Sequence, residues 1–334
     1  MNPDPLPHGG RLEEARRRYP GAPRPFIDLS TGINPVPYPV PGLPETCFTR
    51  LPEPEALWRL QEAAADAYGA ADPAMVVAAP GTQALIALLP RLRPPCRVRV
   101  LAPTYGEHAP AWGACGHAVR EVAALDALEG ADVAVLCNPN NPDGRRHPRA
   151  ALAALAGRLA ARGGLVLVDE AFADLEPDVE GLAGCLPRPG VAVLRSFGKA
   201  YGLAGVRLGF LVADAGTARA VRAALGPWAV SGVAIEIGRR ALADGAWRAA
   251  AARRLAADAR RLADLLAGAG LEPVGGTRLF QLCEAGDAPA TADRLGRAGI
   301  LVRAFHGQPT RLRFGIPGDE AAWARLGAAL ASFA

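Results

Sequence analysis

Residues 196–210 read SFGKAYGLAGVRLGF and contain the single lysine of this chain, Lys199; all the rest of its 37 lysines and arginines are arginine. A chain that uses arginine everywhere else keeps one lysine where an amine is needed. A guanidinium does not give up its proton in a protein. An amine does, once burial and neighbouring cations lower its pKa, and it can then form a Schiff base. The stretch joins two apolar, strand-like runs, VAVLRSF (191–197) and VRLGFLVA (206–213).

The same alternation extends outward on the N-terminal side. MVVAA (75–79), RVRVLA (97–102), ADVAVLC (131–137) and LVLVDE (165–170) are short apolar runs, and several are followed by helix-like segments such as PGTQALIALLPRL and RAALAALAGRLAARG. Short buried strands alternating with helices predict an α/β fold with a mostly parallel sheet covered on both faces. A helix is predicted from about Glu53 to Tyr68, with Pro54 in its first turn. The pattern changes near Gly226–Ser231. An Ala/Arg helix over about 246–268 and turn signals at GAGLEPVGG lead to shorter strands, TRLFQLCE, ILVRAF and RLRFGIP, and a closing helix at 319–332. The expected division is an N-terminal Pro/Gly-rich arm over 1–40, a large domain over 41–225 and a smaller α+β domain over 226–334.

Composition excludes several classes. The net charge is +4 over 334 residues, with no dense basic run interleaved with aromatics, which argues against nucleic acid. No apolar stretch approaches membrane-spanning length. MNPDPLPHGG lacks the basic-then-apolar pattern of a signal peptide, so a cytoplasmic protein is expected. The six cysteines form no CxxC pair, which points away from metal fingers and towards reduced thiols. No GxGxxG follows the first strand with an acidic residue about 20 positions on, so a dinucleotide-binding reading is weak.

Ligands of open α/β sheets bind beyond the carboxyl ends of the strands. Five predicted strand ends carry distinctive polar residues: Gly81-Thr82-Gln83, Thr104-Tyr105, Asn138 to Pro142, Asp169, and Ser196 with Lys199. Together they suit an aromatic cation bearing a phosphate. A glycine-led helix start offers backbone N–H groups to the phosphate, Arg207 adds a fork of donors, and Ser196 adds a hydroxyl. Asp169 is costly to bury without a positive partner, and a protonated pyridine nitrogen supplies one. Tyr105 can stack on the ring and Asn141 can donate to a ring oxygen.

PGTQALI, NPNNPDG, VLVDEAF and SFGKAYGLAGVRLGF, in that order, with LRFGIP as a fifth, resemble the fold-type I pyridoxal 5'-phosphate (PLP) enzymes of the aminotransferase class. The resemblance covers essentially the whole chain. It implies that Lys199 bonds to the cofactor's aldehyde, that Asp169 holds the ring-nitrogen proton, that Asn141 meets the ring hydroxyl and that Tyr105 stacks on the ring. It also implies a phosphate cup of Gly81, Thr82, Gln83, Ser196 and Arg207. Arg313, in LRFGIP, looks like the clamp for a substrate α-carboxylate. A homodimer acting on a small phosphorylated amino acid, without nucleic acid or membrane, is part of the same implication.

Within the class, two groups are similar: histidinol-phosphate aminotransferases and the threonine-phosphate decarboxylases of cobalamin biosynthesis. HGG followed by IDLSTGINP resembles the start of the decarboxylases, as do the short chain and Phe172 in place of the aminotransferases' usual tyrosine. Leu51 stands where many relatives carry a tyrosine that reaches a neighbouring subunit's cofactor. His8, Asn34 and Arg303 are the candidates for a second anion site on the substrate, although a lone histidine in an arm is often solvated and Asn34 can be a turn residue before Pro35. An aminotransferase is the alternative expectation, and a non-catalytic PLP-binding protein the remote one.

Overall fold

The computed structural model describes residues 8–40 and 42–332, which form two compact units. The larger takes residues 37–141 and 145–249; the smaller takes the segment up to Val36, Pro142–Gly144, and the segment from Ala250 onward.

The larger unit is built on a seven-stranded sheet in the order Val76–Ala79, Gly209–Ala213, Val191–Ser196, Leu165–Asp169, Val133–Cys137, Arg97–Leu101 and Ala118–Val122. Gly209–Ala213 runs antiparallel to both its neighbours. The remaining pairs are parallel, as the sequence predicts. Val76–Ala79, Val133–Cys137, Leu165–Asp169 and Gly209–Ala213 are buried along their full length. Near-continuous apolar runs such as VAVLC and LVLVD are what a sheet covered on both faces requires. The register pairs Cys137 with Asp169 and Asp169 with Leu194, which brings neighbouring strand ends level. Ala118–Val122, an outer strand not evident in the sequence, is mostly exposed and carries Arg120 and Glu121, as solvated edges do.

The boundary expected after residue 225 falls instead after 249. Helix Gly232–Ala243 packs on helix Pro54–Tyr68 within the larger unit. Gly238 permits this, because a Cβ there would lie 2.5 Å from Leu208 Cδ2 and 2.9 Å from Leu60 Cδ1. The expected N-terminal arm is likewise divided. Its described residues up to Val36 belong to the smaller unit, where Ile27–Asp28 pairs in parallel with Ile300–Leu301.

The smaller unit's main sheet has the antiparallel order Arg303–Phe305, Gln308–Gly315, Phe280–Glu284 and Glu272–Thr277. Much of GAGLEPVGG, expected to be turn, is thus the strand Glu272–Thr277. Its glycines serve close approach rather than turning. A Cβ on Gly275 would lie 2.2 Å from the Asp143 carbonyl oxygen, and one on Gly144 would lie 1.9 Å from the Gly276 carbonyl oxygen. The 142–144 loop therefore rests directly on strand backbone. Gly144 also has a φ of +70°. Gly144→Ala should cost on the order of 2 kcal/mol, read as a lower urea midpoint; an unchanged midpoint would contradict this packing.

Candidate active site

A cavity of about 170 Å³ opens at the strand ends of the larger unit. All nine residues expected to hold a cofactor line it: Gly81, Thr82, Gln83, Tyr105, Asn141, Asp169, Ser196, Lys199 and Arg207. They come from five separate chain segments, gathered by the parallel register.

Lys199 sits in a single helical turn, Phe197–Ala200, directly after the 191–196 strand. Its Nζ stands 5.5 Å from the centre of the Phe172 ring, a side chain without a hydroxyl. Gly81, with φ +82°, starts the helix Thr82–Leu88. A Cβ on Gly81 would come within 2.8 Å of Arg207 Nη2, so only glycine leaves the guanidinium its place over this turn. Arg207 itself holds a left-handed φ of 55°, rare for a residue with a side chain. Gly209 completes the arrangement, since a Cβ there would lie 2.5 Å from the Thr82 nitrogen. The result is a cluster of donors around a hollow that no side chain fills.

Tyr105 donates from its hydroxyl to Gln83 Oε1 at 3.2 Å. Burial, with the Glu107 and Asp169 carboxylates nearby, raises its pKa to about 12 and keeps it a neutral donor. Gln83 thus braces the tyrosine as well as lining the cavity. The Asn141 loop is fixed one residue earlier: Thr104 Oγ1 donates to Asn140 Oδ1 at 2.7 Å, and Asn140 Nδ2 donates to the Pro103 carbonyl at 2.9 Å.

Asp169 is only 4% exposed. Its Oδ2 lies 3.1 Å from His108 Nε2, and its Oδ1 accepts from the Ala171 N–H at 3.0 Å. Sequence reasoning missed His108, which is wholly buried and 61 positions from its partner; the available signal was its place three residues after Tyr105, at the start of helix His108–Gly113. Burial presses the His108 pKa down, but the Cys137 sulfur 3.6 Å away and the Asp169 carboxylate outweigh it and raise the value to about 10. Beneath the site, Arg195 Nη1 donates to Glu170 Oε2 at 2.6 Å and Arg195 Nη2 pairs with Asp174. This buried trio joins the residue after Asp169 to the residue before Ser196.

A raised histidine pKa stabilises the fold fully below about 6.5, the ordinary imidazole value, and the contribution is lost as pH rises through the folded value. The stability gap between wild type and His108→Gln should therefore narrow from neutral pH to about pH 10. A gap that stays constant or widens would contradict the charged pairing.

The four substrate candidates lie in the smaller unit. Arg303 and Arg313 face each other as register partners on adjacent antiparallel strands, a like-charge pairing that is unfavourable by itself. Arg313 is buried between the Phe280 and Phe305 rings and donates to the Ser30 carbonyl at 2.9 Å, so it is no surface arginine. Burial, then the charge of Arg303, lowers its pKa to about 9, with Asp28 opposing. His8, exposed, and Arg303 line a second, smaller cavity in this unit. Asn34 is buried, and its Oδ1 accepts from the Val36 N–H at 3.1 Å and from Arg254 Nη2 at 2.9 Å. It therefore braces its own loop, the turn role considered above.

The family model described as aminotransferase class I and II matches residues 46–330. This chain belongs to the aminotransferase class I and II family. It is 47% identical over 331 residues to a threonine-phosphate decarboxylase of Pseudomonas aeruginosa, covering 98% of each chain. It is 46% identical over 333 residues to one from Sinorhizobium sp, again covering 98% of each. Among solved structures, a histidinol-phosphate aminotransferase of Sinorhizobium meliloti in complex with pyridoxal-5'-phosphate superimposes with a TM-score of 0.81 at 24% identity, over 98% of this chain and 95% of that one. The L-threonine-O-3-phosphate decarboxylase of Porphyromonas gingivalis superimposes with a TM-score of 0.75 at 22% identity, over 92% of this chain and 99% of that one. These two likenesses establish the fold.

The cavity suits PLP on its own chemistry. The Gly81 hollow under Arg207 suits the phosphate, the Asp169 carboxylate suits a protonated ring nitrogen, and Lys199 is the only side-chain amine in the chain.

Proposed function

We propose that this protein is a PLP-dependent decarboxylase of L-threonine O-3-phosphate. It would release CO2 and (R)-1-amino-2-propanol O-2-phosphate, a building block for cobalamin. The observation that carries this reading is near full-length likeness, at 47% and 46% identity, to two proteins named for that activity. The gathering of Lys199, Asp169 and Arg207 in one cavity supports it.

PLP, when bound, supplies an electron sink for the pair left on Cα when a bond there breaks. The chain's own residues do the rest. Arg207, Ser196 and the Gly81–Thr82 turn bind the cofactor phosphate. Asp169 keeps the ring nitrogen protonated, and His108 holds Asp169 in place. Tyr105, braced by Gln83, covers a ring face, and Asn141 meets the ring's edge oxygen. Arg313 would bind the substrate α-carboxylate, and Arg303 and His8 would receive the substrate phosphate. Lys199 would return a proton to Cα after CO2 departs. The Phe172 ring lies 5.5 Å from the Lys199 amine.

A cytoplasmic homodimer belongs to the same reading and rests on the family resemblance. Among the described residues, no helix is long and apolar enough to cross a membrane. Sedimentation should give twice the chain mass.

The PLP-loaded protein, incubated with L-threonine O-3-phosphate and no keto acid, should release CO2 over many turnovers. Lys199→Arg keeps the charge and should abolish turnover; Asp169→Asn should keep some cofactor and lose most of the rate. Amino transfer from histidinol phosphate to 2-oxoglutarate, without CO2 release from the phosphothreonine, would overturn the assignment in favour of an aminotransferase.

A further inference from the structure

The turn that carries Lys199 cannot hold itself. It is four residues long, and isolated helical turns are unstable because nucleation fixes many dihedrals for one hydrogen bond. Here the turn-closing hydrogen bond, from the Tyr201 N–H to the Phe197 carbonyl, is 3.2 Å. Gly198, beside the lysine, adds backbone freedom. It is required there, since a Cβ would lie 2.8 Å from Ala204 Cα.

Aromatic rings grip this turn from outside the cavity. Phe197 and Tyr201, two positions either side of Lys199, stack at 4.5 Å with planes 15° apart. Trp247 continues the stack, 5.5 Å from Tyr201 and 12° from parallel. Tyr38 closes it edge-on, 5.2 Å from Trp247 and 6.3 Å from Tyr201. Its backbone N–H donates to the Tyr201 carbonyl at 2.8 Å, at the end of the lysine turn. Asp244 ties the Tyr38 ring to the Trp247 backbone: its carboxylate accepts from the Trp247 backbone N–H at 2.9 Å and from the Tyr38 hydroxyl at 3.5 Å. Neither Tyr38 nor Trp247 lines the cofactor cavity.

We infer that Tyr38 and Trp247 are positioning residues for Lys199, acting through the Phe197–Tyr201 stack to set where its amine stands. Both lie close to where the chain passes between the two units. Tyr38 is two residues after Val36, and Trp247 opens the helix Gly245–Gly268, along which the chain enters the smaller unit at Ala250. The same rings therefore fasten the lysine turn to both of these passages.

The inference rests on Lys199 as the cofactor-bonding residue, and the test separates the two claims. Apo protein, Trp247→Leu, Trp247→Phe and Tyr38→Leu are each mixed with PLP. Bond formation is followed by visible absorbance, the bound cofactor by its circular dichroism, and the apo fold by its melting temperature. Trp247→Leu should slow bond formation about tenfold, since small displacements of a reacting group are costly in rate, and should change the dichroism band. Trp247→Phe, which restores a ring, should recover most of both. Tyr38→Leu, at a half-buried position in an extended segment, should show the same change to a smaller extent. If wild type forms no bond at Lys199, the cofactor assignment fails. If wild type bonds normally while Trp247→Leu matches it in rate and dichroism, with only the melting temperature lowered, the rings merely stabilise the fold and the positioning role fails.

Discussion

A carboxylate buried at the end of a strand that is itself covered on both faces is the constraint around which this site is arranged. Asp169 is held there by a wholly buried histidine, His108. Leaving such a charge unpaired would cost far more than a typical side-chain contact contributes. The strand beneath it is LVLVD, so the carboxylate is the first polar group after four buried apolar residues. Strand pairing then fixes its neighbours. Cys137 lies beside it on one side and Leu194 on the other, so the Asn138–Asn141 loop and the Ser196–Lys199 turn begin at nearly the same height.

A second rule is that close approach depends on missing side chains. Gly81 leaves room for Arg207, and Gly209 leaves room for the Thr82 backbone. In the smaller unit, Gly144, Gly275 and Gly276 let a loop lie on a strand. Arg303 and Arg313 face each other on adjacent strands, a like-charge pairing that is unfavourable by itself.

Much of this was legible in the sequence, because the larger unit follows a one-dimensional rule. Apolar runs of about five residues ending in polar ones located the strands, and the strand ends located Lys199, Asp169, Tyr105 and Arg207. Where two distant segments had to be known together, the sequence was silent. His108 gained meaning only once the sheet set it beside Asp169, and Gly275–Gly276 read as a turn because the loop pressing on them lies more than a hundred residues earlier. The domain boundary moved for the same reason, since helix Gly232–Ala243 declares its unit only by packing on Pro54–Tyr68. Ala118–Val122 lacked a buried alternation, being an edge.

The presence of one lysine makes the central claim unusually direct to test. The PLP-loaded protein is reduced with borohydride, digested and analysed for peptides carrying the reduced cofactor. The account predicts a single labelled site, Lys199, at one cofactor per chain, and no label in the Lys199→Arg protein. Label confined to the N-terminal amine, or an unlabelled chain that nonetheless releases CO2 from the phosphothreonine, would contradict it.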